Sequence, residues 1–375
     1  MVINQLLGND LVINEDSCNL SCEYCLTGQS NLKTSHAKQL IFDPPRRATY
    51  DSSSELGKNL PLIVDRVKSD FHAPLLKITG GEIFLVRGML EFLREQAAQH
   101  EILVVQTNGV LLKDEDLAEL ETCGNVVVQV SLDSHTFEGN SYRVATESLH
   151  RKVLAKVDAL LRSALPVEVY CVVNNRSVSH LSGFAQWLAS FDHPPTMWPF
   201  PVRGPGSGRY AIRSGQIRYI EDLVAGRARY EAVMPPSAYF DRLLDFYRDG
   251  KRTLRCHLPR LVISTFSDGV VTPCPNIWFS DLGNLISDGH QEVLKQVGQT
   301  GLYQALLALR PRLDACKGCF TPWDMLSMYF EDEITIEMLA AVPTYSPPSI
   351  RKLIEEEKRK YLAERENEHL QHRGR

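Results

Sequence analysis

Seven of the chain's nine cysteines fall into two groups whose spacing suits metal chemistry. Cys18, Cys22 and Cys25 form a C-x3-C-x2-C array, and further along Cys256, Gly269 and Cys274 read C-x12-G-x4-C, followed by the C-x2-C pair Cys316 and Cys319. In a reducing compartment, clustered cysteines serve metal or redox sites more often than disulfides. Three thiolates this close can wrap one [4Fe-4S] cluster, which takes four ligands and so keeps one open iron. An open position implies an exogenous ligand, just as three-ligand zinc sites keep a place for substrate. The alternatives for the triplet are a zinc site, which generally adds a distant second pair, or three unrelated core thiols. The C-terminal four can close a cluster completely. A four-cysteine zinc ribbon competes with that reading, because hairpins commonly build one.

The elements that must position these residues alternate short apolar runs with amphipathic stretches, as a parallel α/β architecture requires. Strands are expected at Leu11 to Asn14, Leu75 to Thr79, Ile102 to Gln106, Val126 to Ser131, Val167 to Val173 and Thr196 to Trp198. Val126-Val127-Val128 reads as a strand buried on both faces. Helical spacing joins Leu60, Ile63, Val64, Val67 and Phe71, then Met89, Phe92 and Leu93, then Val153, Leu154, Val157, Leu160 and Leu161. The triplet follows the first strand, at the kind of strand end where α/β folds place their chemistry. After Pro194 to Gly208 a helical connector carries Tyr219, Leu223, Tyr239, Leu243, Leu244 and Phe246. A hairpin is then expected, with a run from Leu261 to Phe266, the turn Ser267-Asp268-Gly269 and a return from Val270 to Thr272. It would bring Cys256 and Cys274 to one end. Thr27 to Asn59 is long for a loop and reads as a functional cover or a disordered segment. Glu, Lys and Arg dominate the stretch after Ser346-Pro347-Pro348, which reads as a solvated helix.

With 375 residues, 43% hydrophobic and 23% charged, the chain has a globular composition, and 41 Lys plus Arg against 46 Asp plus Glu give a formal charge of −5. That balance offers no basic surplus for a nucleic-acid backbone. No apolar run approaches the roughly 18 residues of a spanning helix, and Met1 to Asp10 lacks the pattern of a signal peptide. A cytoplasmic protein with no nucleic-acid or membrane partner is expected.

The triplet, with Tyr24 just before its last cysteine, resembles the signature of the radical S-adenosylmethionine (SAM) superfamily. Further landmarks over residues 11 to about 205 fall in order: Thr79-Gly80-Gly81-Glu82, similar to the glycine-rich motif that receives the SAM amino group, then Thr107-Asn108-Gly109 and Ser131-Leu132-Asp133. The resemblance implies a partial (β/α)6 TIM-like barrel, with Ser131, Arg143 and Asn174 on the ribose or carboxylate side of SAM. Ordinary capping or a surface ion pair competes at each of these three. Chemically it implies that a reduced cluster cleaves SAM to a 5′-deoxyadenosyl radical that takes hydrogen from substrate, with electrons from a flavodoxin- or ferredoxin-type donor.

The C-terminal four cysteines, with Leu282-Gly283-Asn284-Leu285, resemble the shortened "twitch" form of the SPASM domain, a small α+β unit with a hairpin that holds one auxiliary [4Fe-4S] cluster. Unlike a full SPASM domain, the chain has no cysteine beyond Cys319. The domains implied are a radical SAM barrel over 1–205, a connector over 206–250, the auxiliary-cluster domain over 251–330 and a C-terminal extension over 331–375. Cys171, if it faces inward, could return a hydrogen atom to a substrate radical, although buried cysteine is ordinarily a small apolar filler. Cys123 is read as inert. The favoured substrate is a small polar metabolite, such as an amino sugar, aminocyclitol or sugar nucleotide, that is oxidised, epimerised or dehydrated. The alternative is a ribosomal precursor peptide receiving a crosslink or epimerisation. Trp198, Arg203, Tyr210 and His257 are expected near the barrel mouth.

Overall fold

The computed structural model describes residues 3–13, 17–26, 48–204, 207–278 and 280–373. Most of the Thr27 to Asn59 stretch, residues 27–47, lies outside the described residues, as does Asn14. Six strands alternating with five helices start the fold: β1 (Gly8–Ile13), α1 (Glu55–Phe71), β2 (Leu75–Gly80), α2 (Met89–Ala97), β3 (Ile102–Thr107), α3 (Asp114–Cys123), β4 (Val126–Ser131), α4 (Glu147–Leu161), β5 (Val167–Val173), α5 (Leu181–Leu188) and β6 (Thr196–Pro201). The connector supplies α6 (Arg218–Ala225) and α7 (Ser237–Asp249). After β7 (Val262–Phe266), β8 (Val270–Thr272) and β9 (Gly283–Asn284), the chain ends in α8 (Asp324–Phe330) and α9 (Pro348–Arg373). Shorter helices are named by their residues.

One sheet runs β6-β5-β4-β3-β2-β1-β7-β8-β9. Its first seven strands are parallel, giving the curled α/β sheet of a partial barrel with helices outside. The C-terminal hairpin extends that same sheet, because β7 pairs along β1 from Gly8↔Val262 to Val12↔Phe266. Gly269 turns the hairpin at φ +91°, and a Cβ there would sit 2.5 Å from the Asn284 Oδ1 of β9. A side chain there would be strained by the left-handed backbone and would displace the Asn284 side chain.

The helices obey their apolar spacing. Leu60, Ile63, Val64, Val67 and Phe71 bury one face of α1, and Val153, Val157, Leu160 and Leu161 do the same for α4. Ser54 and Thr146 cap these two helices by accepting from the Gly57 and Leu149 N–H groups. β6 runs three residues past Trp198 despite Pro199 and Pro201. It can do so because it is the sheet's outer strand, where a missing N–H breaks no ladder.

Charged side chains occupy the barrel interior. Lys77 of β2 stacks over the rings of Tyr170 (5.0 Å) and Trp323 (5.4 Å). Glu168 of β5 accepts from Gln129 Nε2 at 2.9 Å and from the Thr344 hydroxyl at 2.6 Å. Trp323, Thr344 and Tyr345 thus come from the last sixty residues to fill the barrel under the strands, so the segment after residue 331 is part of the core before it becomes a charged helix. Among the described residues no helix is long and apolar enough to cross a membrane.

Two outcomes test this core. A Cβ at Gly80 would lie 1.7 Å from the Ile13 carbonyl oxygen, so Gly80→Ala should destabilise the fold by about 2 kcal/mol or more in chemical denaturation; an unchanged midpoint would refute the close β1–β2 approach. Burial raises the Asp10 carboxyl to about 6 against the opposing pull of Lys77 and Arg203. The folded chain then binds the extra proton, and this residue's contribution to stability falls as pH rises from the unfolded value towards about 6. Asp10→Asn should gain on the parent as pH rises from about 4 to about 6 and keep that gain at higher pH. A parallel pH dependence of the two proteins would show that Asp10 titrates normally.

Candidate active site

The triplet sits on an irregular loop that borrows its order from neighbouring strand ends. Cys18 Sγ accepts from the Leu20 N–H at 3.4 Å and from Asn108 Nδ2 at 3.7 Å. Asn108 also donates to Asn19 Oδ1 at 2.7 Å, which ties the loop to the end of β3. Cys22 Sγ lies 3.9 Å from Arg143 Nη1, and the Glu23 N–H donates to the Tyr142 carbonyl at 2.8 Å. Burial pushes the Cys18 thiol up to about 11 and Cys22 further still, more than Leu20 or Arg143 pulls them down. The protein alone does not stabilise these thiolates; a bound metal would.

Cys18, Cys22 and Cys25 line a cavity of about 180 Å³ together with Gly80, Gly81 and Arg143. Tyr24, Ser131 and Arg203 line it as well, so it opens at the C-terminal ends of the parallel strands. The missing Cβ of Gly80 lets β2 meet β1 beside it.

Asp133, two residues past β4, holds the site together. Its buried carboxylate accepts from the Tyr24 hydroxyl, from Arg143 Nη2 at 3.0 Å and from the Val172 N–H at 3.1 Å. Arg143 is 8% exposed, and its Nε has no hydrogen-bond partner although it is buried. A cation with a spare donor therefore faces the cysteine cavity. Sequence reasoning named neither Asp133 nor Asn108 as a site residue. The available signal was their place in Ser131-Leu132-Asp133 and Thr107-Asn108-Gly109, polar residues at consecutive strand ends.

Other expected residues lie elsewhere. Glu82 does not line the cavity, because its buried carboxylate accepts from the Thr107 hydroxyl and the Asn108 N–H, both at 2.8 Å. It fixes the turn that carries Asn108. Asn174 is fully buried, and its Oδ1 accepts from the Arg176 and Ser177 N–H groups at 2.9 Å in a local turn. The expectation of an inward Cys171 is corrected: Tyr170 and Val172 line the cavity, so strand alternation turns Cys171 to the opposite face, where it donates to the Asp133 carbonyl at 3.3 Å. Tyr210 packs edge-on against Tyr24 and Tyr142 beside the loop. Trp198 lies deeper in the barrel interior. His257 is corrected too; it is buried away from the mouth, 2.6 Å from Glu331.

Cys256, Cys274, Cys316 and Cys319 line a second pocket, and burial raises all four thiols, with Cys256, Cys316 and Cys319 pushing Cys274 up further. Among the described residues no three His, Cys, Asp or Glu side chains converge to hold a single metal ion; these four ring a pocket instead. Arg252, buried beside them, donates to the Cys319 carbonyl at 3.2 Å and pairs with Asp324. Arg203 spans the two cysteine sets: it lines the first cavity, donates to Asn276 Oδ1 and reaches the Cys319 sulfur.

The model of the Radical SAM superfamily matches residues 16–188. The chain is 32% identical over 180 residues to the "Probable GTP 3',8-cyclase" of Methanopyrus kandleri, covering 47% of this chain and 50% of that protein. It is 25% identical over 286 residues to "Mycofactocin maturase MftC" of Mycobacterium tuberculosis, covering 73% of this chain and 66% of that protein. The chain thus spans about half the length of the cyclase. Among solved structures, anSMEcpe with bound AdoMet superposes with a TM-score of 0.59 at 17% identity, covering 90% of this chain and 98% of that one. Streptococcus suis SuiB bound to S-adenosylmethionine gives 0.58 at 13% identity, covering 84% and 70%. At these identities the structures show the fold alone. Residues 16–188, which carry the three cysteines and the strand-end cavity, thus match a radical SAM superfamily domain.

Proposed function

We propose that Cys18, Cys22 and Cys25 hold the SAM-binding cluster and that Cys256, Cys274, Cys316 and Cys319 hold an auxiliary one in a twitch-like module, making the chain an enzyme that oxidises its substrate by hydrogen abstraction. The observation that carries this reading is the common cavity of three cysteines, Gly80, Gly81 and a buried arginine with a free donor. The residues fit the cofactors. Three soft thiols leave one iron of a cubane for SAM, and the backbone at Gly80 and Gly81 allows close approach of an ammonium. Bound there, the two cofactors supply reductive cleavage and a hydrogen-abstracting 5′-deoxyadenosyl radical, given an external one-electron donor.

The chain's own residues bind, orient and exclude water. Arg143, whose Nε is free, would hold the SAM carboxylate, with Asp133 keeping the guanidinium in place. Ser131 offers its hydroxyl to the ribose side. The Leu20 and Asn108 donors to Cys18 set the electron density on that ligand sulfur. Tyr24, Tyr142 and Tyr210 pack edge-on and keep water from the loop. A cluster closed by four cysteines supplies an electron acceptor for substrate oxidation, and Arg203 is the side chain that lies between it and the cavity.

For the substrate, a peptide side chain is favoured by the match to the mycofactocin maturase, because an alignment covering 73% of this chain necessarily runs past residue 188 into the four-cysteine region. A small polar metabolite that is oxidised, epimerised or dehydrated is the second reading. It is supported by the polar cavity lining of Asn108, Ser131 and Arg203 and by the likeness to a GTP cyclase.

Asp133→Asn should weaken SAM binding about tenfold or more, since loss of a charged hydrogen-bond partner costs roughly 1.5–3 kcal/mol. Equilibrium dialysis that finds unchanged affinity would remove Asp133 from the site. In anaerobic assays with SAM and dithionite, 5′-deoxyadenosine should form in the parent, vanish in Cys22→Ala, and rise when candidate peptides are added. A rise only with sugars or sugar nucleotides would select the second reading, and cleavage that survives Cys22→Ala would sink both.

A further inference from the structure

Outside the cysteine cavities, a cavity of about 370 Å³ lies between the 255–260 segment, residues 298–307 and α9. Three arginines converge there on one ring: the Arg255, Arg260 and Arg365 guanidinium carbons lie 5.3, 5.3 and 5.6 Å from the centroid of Tyr361. Only one lining carboxylate opposes them, Glu364, which pairs with Arg260. Behind the lining, Glu331 is engaged by His257 at 2.6 Å and by the Tyr361 hydroxyl at 3.1 Å. Arg255 donates to the Tyr361 hydroxyl at 2.8 Å and to the Leu307 carbonyl at 3.0 Å, yet its buried Nε has no partner. Tyr303, 1% exposed, lines the same cavity beside the Gly298 backbone.

A cavity with an excess of two positive charges and a buried spare guanidinium donor is incomplete as a purely structural cluster. Guanidinium forks match oxyanions in geometry, and the volume lies within the range of small-molecule sites. We infer that this cavity is a second ligand site, separate from the SAM cavity, that binds a small molecule bearing a phosphoryl or paired carboxylate group. Arg255 and Tyr303 supply the buried contacts, and Arg365 closes from α9. The site stands back to back with the four-cysteine pocket, because Cys256 turns into that pocket while its neighbours Arg255 and His257 line this one.

Pyrophosphate and citrate are the probes, titrated calorimetrically into the cluster-loaded full chain under anaerobic conditions, with chloride at matched ionic strength as control. Saturable binding of either is expected. It should weaken about tenfold or more in Arg255→Gln and several-fold in Tyr303→Phe and Arg365→Gln, while cleavage of SAM at the front site is retained. Tyr303→Phe removes one hydroxyl and Arg365 is exposed, so both keep the test valid if Arg255→Gln fails to fold. Preference for pyrophosphate would mark a phosphoryl ligand and preference for citrate a carboxylate one, and each supports the site. No saturable binding of either probe, or equal affinity in Tyr303→Phe, Arg365→Gln and the parent, would overturn it.

Discussion

The described part of the loop that carries Cys18, Cys22 and Cys25 has little regular structure, and beyond local bonds such as Leu20 N–H to Cys18 its sulfurs are held in place by what surrounds them. The fold meets that constraint by anchoring the loop to successive strand ends. Asn108 after β3 bonds to Asn19 and Cys18, Asp133 after β4 bonds to Tyr24, and the loop backbone at Glu23 bonds to Tyr142. Each anchor is in turn fixed from behind: Glu82 grips the Asn108 turn, while Asp133 binds Arg143 and the β5 backbone at Val172. The result is a rigid outer ring of buried hydrogen bonds around a polar cavity, the arrangement a reactive site needs if water is to be kept out.

The second cysteine set depends on the same sheet. Because β7 adds to β1 in parallel, the hairpin that brings Cys274 towards Cys256 continues the barrel and is not a separately hinged module. Arg203, just beyond β6, then reaches from one cysteine set to the other. The C-terminal segment contributes from below, with Trp323 and Thr344 set against the Lys77 and Glu168 side chains. Closing the base in this way lets the strands' opposite ends carry the chemistry without exposing the charged interior.

Much of this was legible in the sequence. Parallel strands buried on both faces announce themselves as apolar runs such as Val126-Val127-Val128, and helical spacing marked the buried face of α1 residue by residue. The cysteine spacings marked two sets of thiols, and each set lines a pocket of its own. What stayed hidden depends on tertiary partners. Glu82 and Asn174 look like ligand groups in a string of letters, yet each spends its oxygens on neighbouring backbone N–H groups. The facing of Cys171 turns on a one-residue register: it shares its face with Val169 and Val173, while Glu168, Tyr170 and Val172 share the face that lines the barrel interior. β6 was read too short because two prolines argue against a strand unless it is known to lie at an edge. Asp133 escaped notice because its importance is a count of partners 10, 39 and 109 residues away.

The central claim is that the chain carries two clusters of unlike openness, one with a bare iron corner and one fully enclosed by protein. Electron paramagnetic resonance of the reduced, anaerobically reconstituted full chain tests it directly. Two [4Fe-4S] signals should appear, and adding S-adenosylmethionine should shift one and leave the other in place. A single signal, two signals that both respond, or a colourless protein carrying zinc would contradict the account.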